Sequence, residues 1–195
     1  MKGMWASPDD RLSAIRRYLA VIALGNLTWE FAHMPLYTLW RTGTAGDIVF
    51  AAVHCTGGDM LIATVSLVLA LLISGCPAWP RERFWPVAAT AVILGLGYTV
   101  FSEWLNVEIR RSWAYSDLMP TVPWLGVGLT PLAQWLVIPG LGFWHIRRSV
   151  LRPGPRRGPA MPRRDGTNLY ERIMYGVCWI LMGLLALDIL VKVIS

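Results

Sequence analysis

The sequence predicts an all-α integral membrane protein, a single bundle of five transmembrane helices. Three observations predict it. Hydrophobic residues make up 55% of the 195-residue chain and charged ones only 15%, with a mean hydropathy of +0.47, too apolar for an ordinary soluble domain. The apolar residues gather in five long runs. Tryptophan and tyrosine (Trp40, Trp79, Trp85, Trp113, Tyr115, Trp124, Trp144) fall near the ends of those runs, as an aromatic belt at a membrane interface would place them.

The five runs cover about residues 15–40, 48–74, 85–107, 122–144 and 173–194. Each reaches the roughly 20 residues that cross a hydrocarbon core of about 30 Å. A soluble helical bundle of this length would need far more charge between its helices. One domain, residues 1–195, holds all five. The first run is too long for a cleaved secretory leader, carries Glu30 and His33, and has no small-x-small cleavage site, so the first helix is expected to stay.

Orientation follows from the basic residues. In a five-span topology Lys2, Arg11, Arg16, Arg17, Arg81, Arg83, Arg147, Arg148, Arg152, Arg156, Arg157, Arg163, Arg164 and Arg172 lie on one side. Only Arg41, Arg110, Arg111 and Lys192 lie on the other. The positive-inside rule puts the N-terminus in the cytoplasm and the C-terminus outside. The acids lean outward: Glu30, Asp47, Asp59, Glu103, Glu108, Asp117 and Asp188 belong to the outer half or outer surface. The net charge of +6 is therefore no sign of nucleic-acid binding. Much of the basic charge sits in the connector 145–172, whose proline, glycine and arginine content suits a flexible loop. That loop sets orientation and can attract anionic headgroups at about 1 kcal/mol per basic residue. A bacterial inner membrane is the expected location.

Cysteines carry no chemistry in this reading. Cys55 and Cys178 fall inside spans and Cys76 at a span end, without CxxC spacing. They read as small buried thiols.

The chemistry lies in polar residues that apolar spans should not hold. Ionisable groups inside a bilayer are costly, face a protein interior or water, and mark functional sites. In the first span Asn26, Glu30, His33 and Tyr37 follow i, i+4, i+7 and i+11, one narrow stripe of a helix. Pro35 is expected to kink that helix near its end and free a carbonyl. In the second span Asp47, His54 and Gly58 share a stripe, and Cys55 and Asp59 a neighbouring one. Gly57 and Gly58 either let another helix approach or leave room for a ligand.

Depth decides which of these can meet. At about 1.5 Å per residue, His33 and His54 both fall roughly 10 Å below the outer end, with Glu30 and Asp59 roughly 15 to 18 Å down. The third span brings Tyr98, Ser102, Glu103 and Asn106 to the same side, and Gln134 enters from the fourth at about the level of Glu30. The polar residues converge on the outer half of the membrane. The outer loop NVEIRRSWAYSDLMPTVPW is placed to cap them. Its Arg110 and Arg111 either bind an anionic headgroup or balance Glu103 and Glu108, and Trp113, Tyr115 and Trp124 anchor it at the interface.

The leading expectation is a small membrane enzyme acting on a lipid, isoprenoid or sterol-like substrate. Glu30 and Asp59 would be its acid–base groups, His33 and His54 their proton partners, and Glu103 a further catalytic carboxylate. Asn26, Tyr37, Asn106, Arg110 and Gln134 would support the substrate. A metal-assisted version has Glu30, His33, His54 and Asp59 as four ligands, Glu30-x-x-His33 having the i, i+3 spacing of carboxylate–histidine sites in helical bundles. Such oxygen and nitrogen donors suit zinc, iron or manganese. A carrier of protons, metal ions or small ligands is the second expectation, weakened by the absence of internal repeats and of a polar trail through the cytoplasmic half. Haem between His33 and His54 is a third. A cluster that only holds helices together is the fourth, at about 0.6 kcal/mol for each interhelical polar contact.

Overall fold

The computed structural model describes residues 8–76 and 78–151. Helices make up 78% of these and there is no strand among them, so the described chain is all-α. In order they are α1 (Pro8–His33), a 3₁₀ turn (Met34–Leu36), α2 (Leu39–Thr42), α3 (Ala45–Ser74), α4 (Phe84–Trp104) with a π-helical turn (Leu105–Ile109), and α5 (Leu129–Leu151). Two helices are long and apolar enough to cross a membrane, Ala45–Ser74 and Phe84–Ile109. The expected first and fourth spans are helical but more polar. The expected fifth span, Cys178 and the rest of the basic connector lie outside the described residues.

Boundaries differ from expectation in two places, each for a local reason. The first helix ends at His33, just before Pro35, instead of kinking through to Trp40. Proline has no N–H to continue the ladder, and the freed carbonyls are taken up by the loop that covers this end. Ser116 donates from its backbone N–H to Leu36 O at 2.8 Å and from Oγ to Pro35 O at 3.3 Å. Tyr37 adopts extended backbone (φ −108°, ψ 148°) and forms an isolated antiparallel bridge with Tyr115. The fourth helix begins at Leu129, not Val122, and runs on through Leu151. Residues 122–128 make a turn in which Val122 N–H donates to Val127 O at 2.8 Å, and Leu129 N–H reaches Pro120 O at 2.8 Å. Gly126 sits at φ +66° in that turn, the left-handed region that glycine enters freely.

Capping explains where α3 begins and ends. Thr44 Oγ1 accepts from Asp47 N–H at 3.2 Å while Asp47 Oδ2 accepts from Thr44 N–H at 2.9 Å, a reciprocal capping box. Asp47 is thus exposed and committed to the helix start, not to an interior stripe. Gly75, at φ +54°, closes the other end with its N–H on Leu71 O and Leu72 O.

Helix α3 packs against both α1 and α4, and α5 completes the core. Tyr18 on α1 lies 4.7 Å from Phe143 on α5, ring centre to ring centre. Two glycines let helices come this close: a Cβ on Gly142 would stand 2.8 Å from the Tyr18 ring, and one on Gly25 2.8 Å from Ile138. Gly57 and Gly58 have no such neighbour and face open space. Among the expected belt aromatics, Trp40, Trp85, Trp124 and Trp144 are exposed, whereas Trp79 is fully buried. Arg11 holds it there, donating from Nε to Trp79 O at 3.2 Å.

Candidate functional site

Asn26, Glu30 and His33 occupy one face of the last two turns of α1, and all three are buried, with exposures of 2%, 7% and 6%. Helical spacing alone aligns them. His33 Nε2 lies 3.1 Å from Glu30 Oε2. The i, i+3 separation lets the two side chains meet one above the other.

The other helices enter through α5. Gln134, 3% exposed, directs one nitrogen at three oxygens from two helices. Nε2 stands 2.8 Å from Asn26 Oδ1, 3.0 Å from Glu30 Oε1 and 3.0 Å from Asp59 Oδ2. An amide NH₂ has two hydrogens, so one of the three contacts is shared between acceptors. Asn26 spends its own NH₂ on Ile22 O at 2.9 Å, which leaves its carbonyl free for Gln134. The neighbouring Trp135 brings its indole beside Asp59. Gly95 on α4 makes room for it, because a Cβ there would overlap the Trp135 ring.

At the outer end of the cluster Glu103, the penultimate residue of α4, accepts from the hydroxyl of Tyr115. That hydroxyl in turn accepts from Gly128 N–H at 2.9 Å. Burial, reinforced by the Glu103 carboxylate, pushes the Tyr115 phenol above the ordinary tyrosine range, so Tyr115 is the proton-bearing partner. Tyr37 stands between the two halves, its ring edge-on to His33 at 5.3 Å and to Tyr115 at 5.4 Å. The π turn that follows α4 places Asn106 back over Ser102, donating to Ser102 O at 2.8 Å and to Ser102 Oγ at 3.3 Å. Such turns recur at functional sites.

Of the residues singled out in the sequence, Asn26, Glu30, His33, Tyr37, Asp59, Glu103 and Gln134 come together. His54 does not. It is exposed on α3 and stacks on Phe50 at 5.6 Å, because its angle around the helix turns it away from the cluster. With His54 turned away, the four-ligand set of Glu30, His33, His54 and Asp59 is not assembled. Among the described residues no three His, Cys, Asp or Glu side chains group so as to hold a metal ion. The oxygens of Glu30 are also already engaged by His33 and Gln134. Among the described residues, neither the expected metal donor set nor the His33–His54 pair expected for haem is brought together, because His54 is exposed away from the others.

Asn106 stays on its own helix. Arg110 and Arg111 form no ion pair with Glu103 or Glu108; among the described residues the salt bridges are His33–Glu30 and Arg81–Asp10. Arg110 is half-buried, with one terminal nitrogen lacking a partner. Arg111 is exposed at φ +54°. Sequence reasoning read Tyr115 only as an interface anchor and passed over Trp135. Tyr115 faces Glu103 because the loop folds back onto residues 35–38, just after α1, a long-range pairing with no local signal. Trp135 had one available cue, its position next to Gln134.

No family model matches the chain, and no curated protein or solved structure matches it either.

Proposed function

We propose that this chain is a small multi-pass membrane enzyme that performs acid–base chemistry on a lipid or isoprenoid-like molecule. The observation that carries the reading is the linked set His33–Glu30–Gln134–Asp59, two carboxylates and a histidine joined through one amide in the core of a bundle. Side chains so joined can give and take protons at a substrate held among them. Glu30 and His33 form the proton-transfer pair, Asp59 is the second acid, and Glu103, held by Tyr115, is the third. Asn26 and Gln134 orient them. Using four ionisable groups merely to join helices would be an expensive substitute for the glycine contacts that already do so.

A membrane setting is supported by the two long apolar helices and by large apolar side chains exposed on them, among them Phe50, Val53, Ile73, Ile93 and Phe101. Patches of this kind are rare on soluble monomers. In this reading the apolar runs supply five spans, the arginine pattern sets a cytoplasmic N-terminus and an outer C-terminus, and the short compact chain favours a bacterial inner membrane. In that topology the polar cluster lies in the outer half of the bilayer under the 110–128 loop.

The test uses purified protein in nanodiscs, incubated with a total membrane lipid extract in heavy water. Mass spectrometry then follows mass changes and carbon-bound deuterium. The expected result is a changed lipid with the unmodified protein, and a loss of about 10²- to 10⁴-fold in rate in E30Q and D59N. A lipid pool left unaltered, alongside ion flux in proteoliposomes, would replace the enzyme with the carrier.

A further inference from the structure

His33 has two ring nitrogens in different situations. Nε2 is engaged with Glu30 at 3.1 Å. Nδ1 is buried and has no hydrogen-bond partner. Polar atoms buried in a protein are almost always paired, and an orphan costs about 1–3 kcal/mol. This orphan sits on a side chain only 6% exposed, at the last residue of α1, where the helix gives way to the loop-covered end of the cluster. Its surroundings are the Tyr37 ring on one side and Glu30 on the other.

Hydrogen-bond roles then fix what would satisfy it. Glu30 accepts at Oε1 from Gln134, and at Oε2 it faces Nε2. In the neutral imidazole, with Glu30 accepting at both oxygens, the ring hydrogen is on Nε2 and Nδ1 presents a lone pair. The partner must therefore bring a hydrogen. The acids of the cluster, Glu30, Asp59 and Glu103, already have partners there, so a small neutral donor fits better than an added cation. In a bilayer, the chemistry that combines a single neutral donor with an apolar body is that of a lipid alcohol.

We propose that His33 Nδ1 accepts the hydroxyl of a long-chain or polycyclic alcohol lipid, which makes a hydroxylated lipid the ligand of this site. The proposal deepens the enzyme reading and rests on it for the membrane setting. Glu30 fixes the imidazole through Nε2, as a carboxylate fixes a histidine whose other nitrogen works on a substrate. The hydroxyl oxygen then lies within reach of the Tyr37–Tyr115 side of the cluster.

The probes are a long-chain primary alcohol, its methyl ether and the matching alkyl ammonium. Each is titrated into histidine-¹⁵N-labelled protein in nanodiscs. The chain has three histidines, His33, His54 and His145, and single variants assign them. The alcohol should shift the His33 Nδ1 resonance saturably, and the ether, which has no hydrogen to donate, should not. H33Q keeps an amide toward Glu30 but loses the Nδ1 position, and should weaken alcohol binding about tenfold. H33N keeps a polar group near Nδ1 and should retain most of it. Equal response to alcohol and ether, a response to the ammonium alone, or no saturable shift would each overturn the proposal. If H33Q fails to fold, the alcohol–ether comparison on the unmodified protein still decides. Lipid turnover without any alcohol preference would remove this inference and leave the enzyme standing. Alcohol binding without turnover would do the reverse.

Discussion

Glu30 on α1 and Asp59 on α3 accept from the same nitrogen, Nε2 of Gln134 on α5, each at 3.0 Å. The two carboxylates are thus held together by a neutral donor from a third helix. Q134L should be the most damaging single change in the cluster. It strips a buried partner from two acids and from Asn26, and each group left unsatisfied costs about 1–3 kcal/mol. The expected outcome is a clearly lowered unfolding temperature in detergent, together with loss of lipid turnover. Q134E adds a carboxylate beside two others and should be at least as harmful. An unfolding temperature within a degree of the parent's would show that the link contributes nothing.

The histidines separate by the same logic. His33 is inside the cluster and His54 is exposed on Phe50. H54A should therefore keep activity within about twofold, an exposed change away from special features being worth less than about 0.5 kcal/mol. H33A should abolish activity. The comparison is made by measuring both variants side by side in the heavy-water assay, and equal loss in the two would return His54 to the site.

How much of this was legible in the sequence depends on whether the signal was local. The α1 stripe was, because Asn26, Glu30 and His33 repeat at helical spacing and a helix needs nothing else to align them. The level of Gln134 was legible too, from counting residues inward along an antiparallel helix. His54 was misplaced because depth fixes only one cylindrical coordinate, and the angle on α3 depends on which neighbours it packs against. The start of α5 was misread because Val122 to Gly128 is apolar enough to look like span, although Pro123, Gly126 and Gly128 favour a turn. Gly57 and Gly58 drew attention as a pair, yet the close approaches are at Gly25, Gly95 and Gly142. Only the partner helix reveals those.

Gly95 supplies a third prediction. A methyl group there would run into the Trp135 ring, which belongs to the buried core beside Asp59. Overpacking of this sort costs about 1–3 kcal/mol. G95A should lower stability by about that amount and reduce turnover, because Trp135 and Gln134 are adjacent on α5 and move together. G97A is the control, since a Cβ at Gly97 meets nothing within 4 Å. Tryptophan fluorescence should change in G95A and not in G97A.

The capping box at α3 makes a cleaner control for stability without function. Asp47 and Thr44 satisfy each other at the helix start, and loss of such a cap costs about 1 kcal/mol. D47A should lower the unfolding temperature modestly while leaving lipid turnover unchanged. Turnover lost in proportion to a catalytic acid would move Asp47 into the site.

Tyr115 ties the loop to the cluster, and its protonation gives the last prediction a sign. Its hydroxyl donates to Glu103 and accepts from Gly128 N–H, and burial with the nearby Glu103 raises its pKa above the ordinary value of about 10. In the window above that value the unfolded chain has released the phenolic proton and the folded chain still holds it. The unfolded state binds fewer protons there, so stability falls as pH rises. The contribution is fully present below about pH 10 and is lost through the alkaline range above it. Y115F removes the titrating group, so its alkaline loss of stability should be shallower than the parent's. At neutral pH the variant should be less stable, with Glu103 left without its donor and the loop more readily cut by protease. Parallel alkaline unfolding curves for the two proteins would show that Tyr115 is not held by Glu103 in its protonated form.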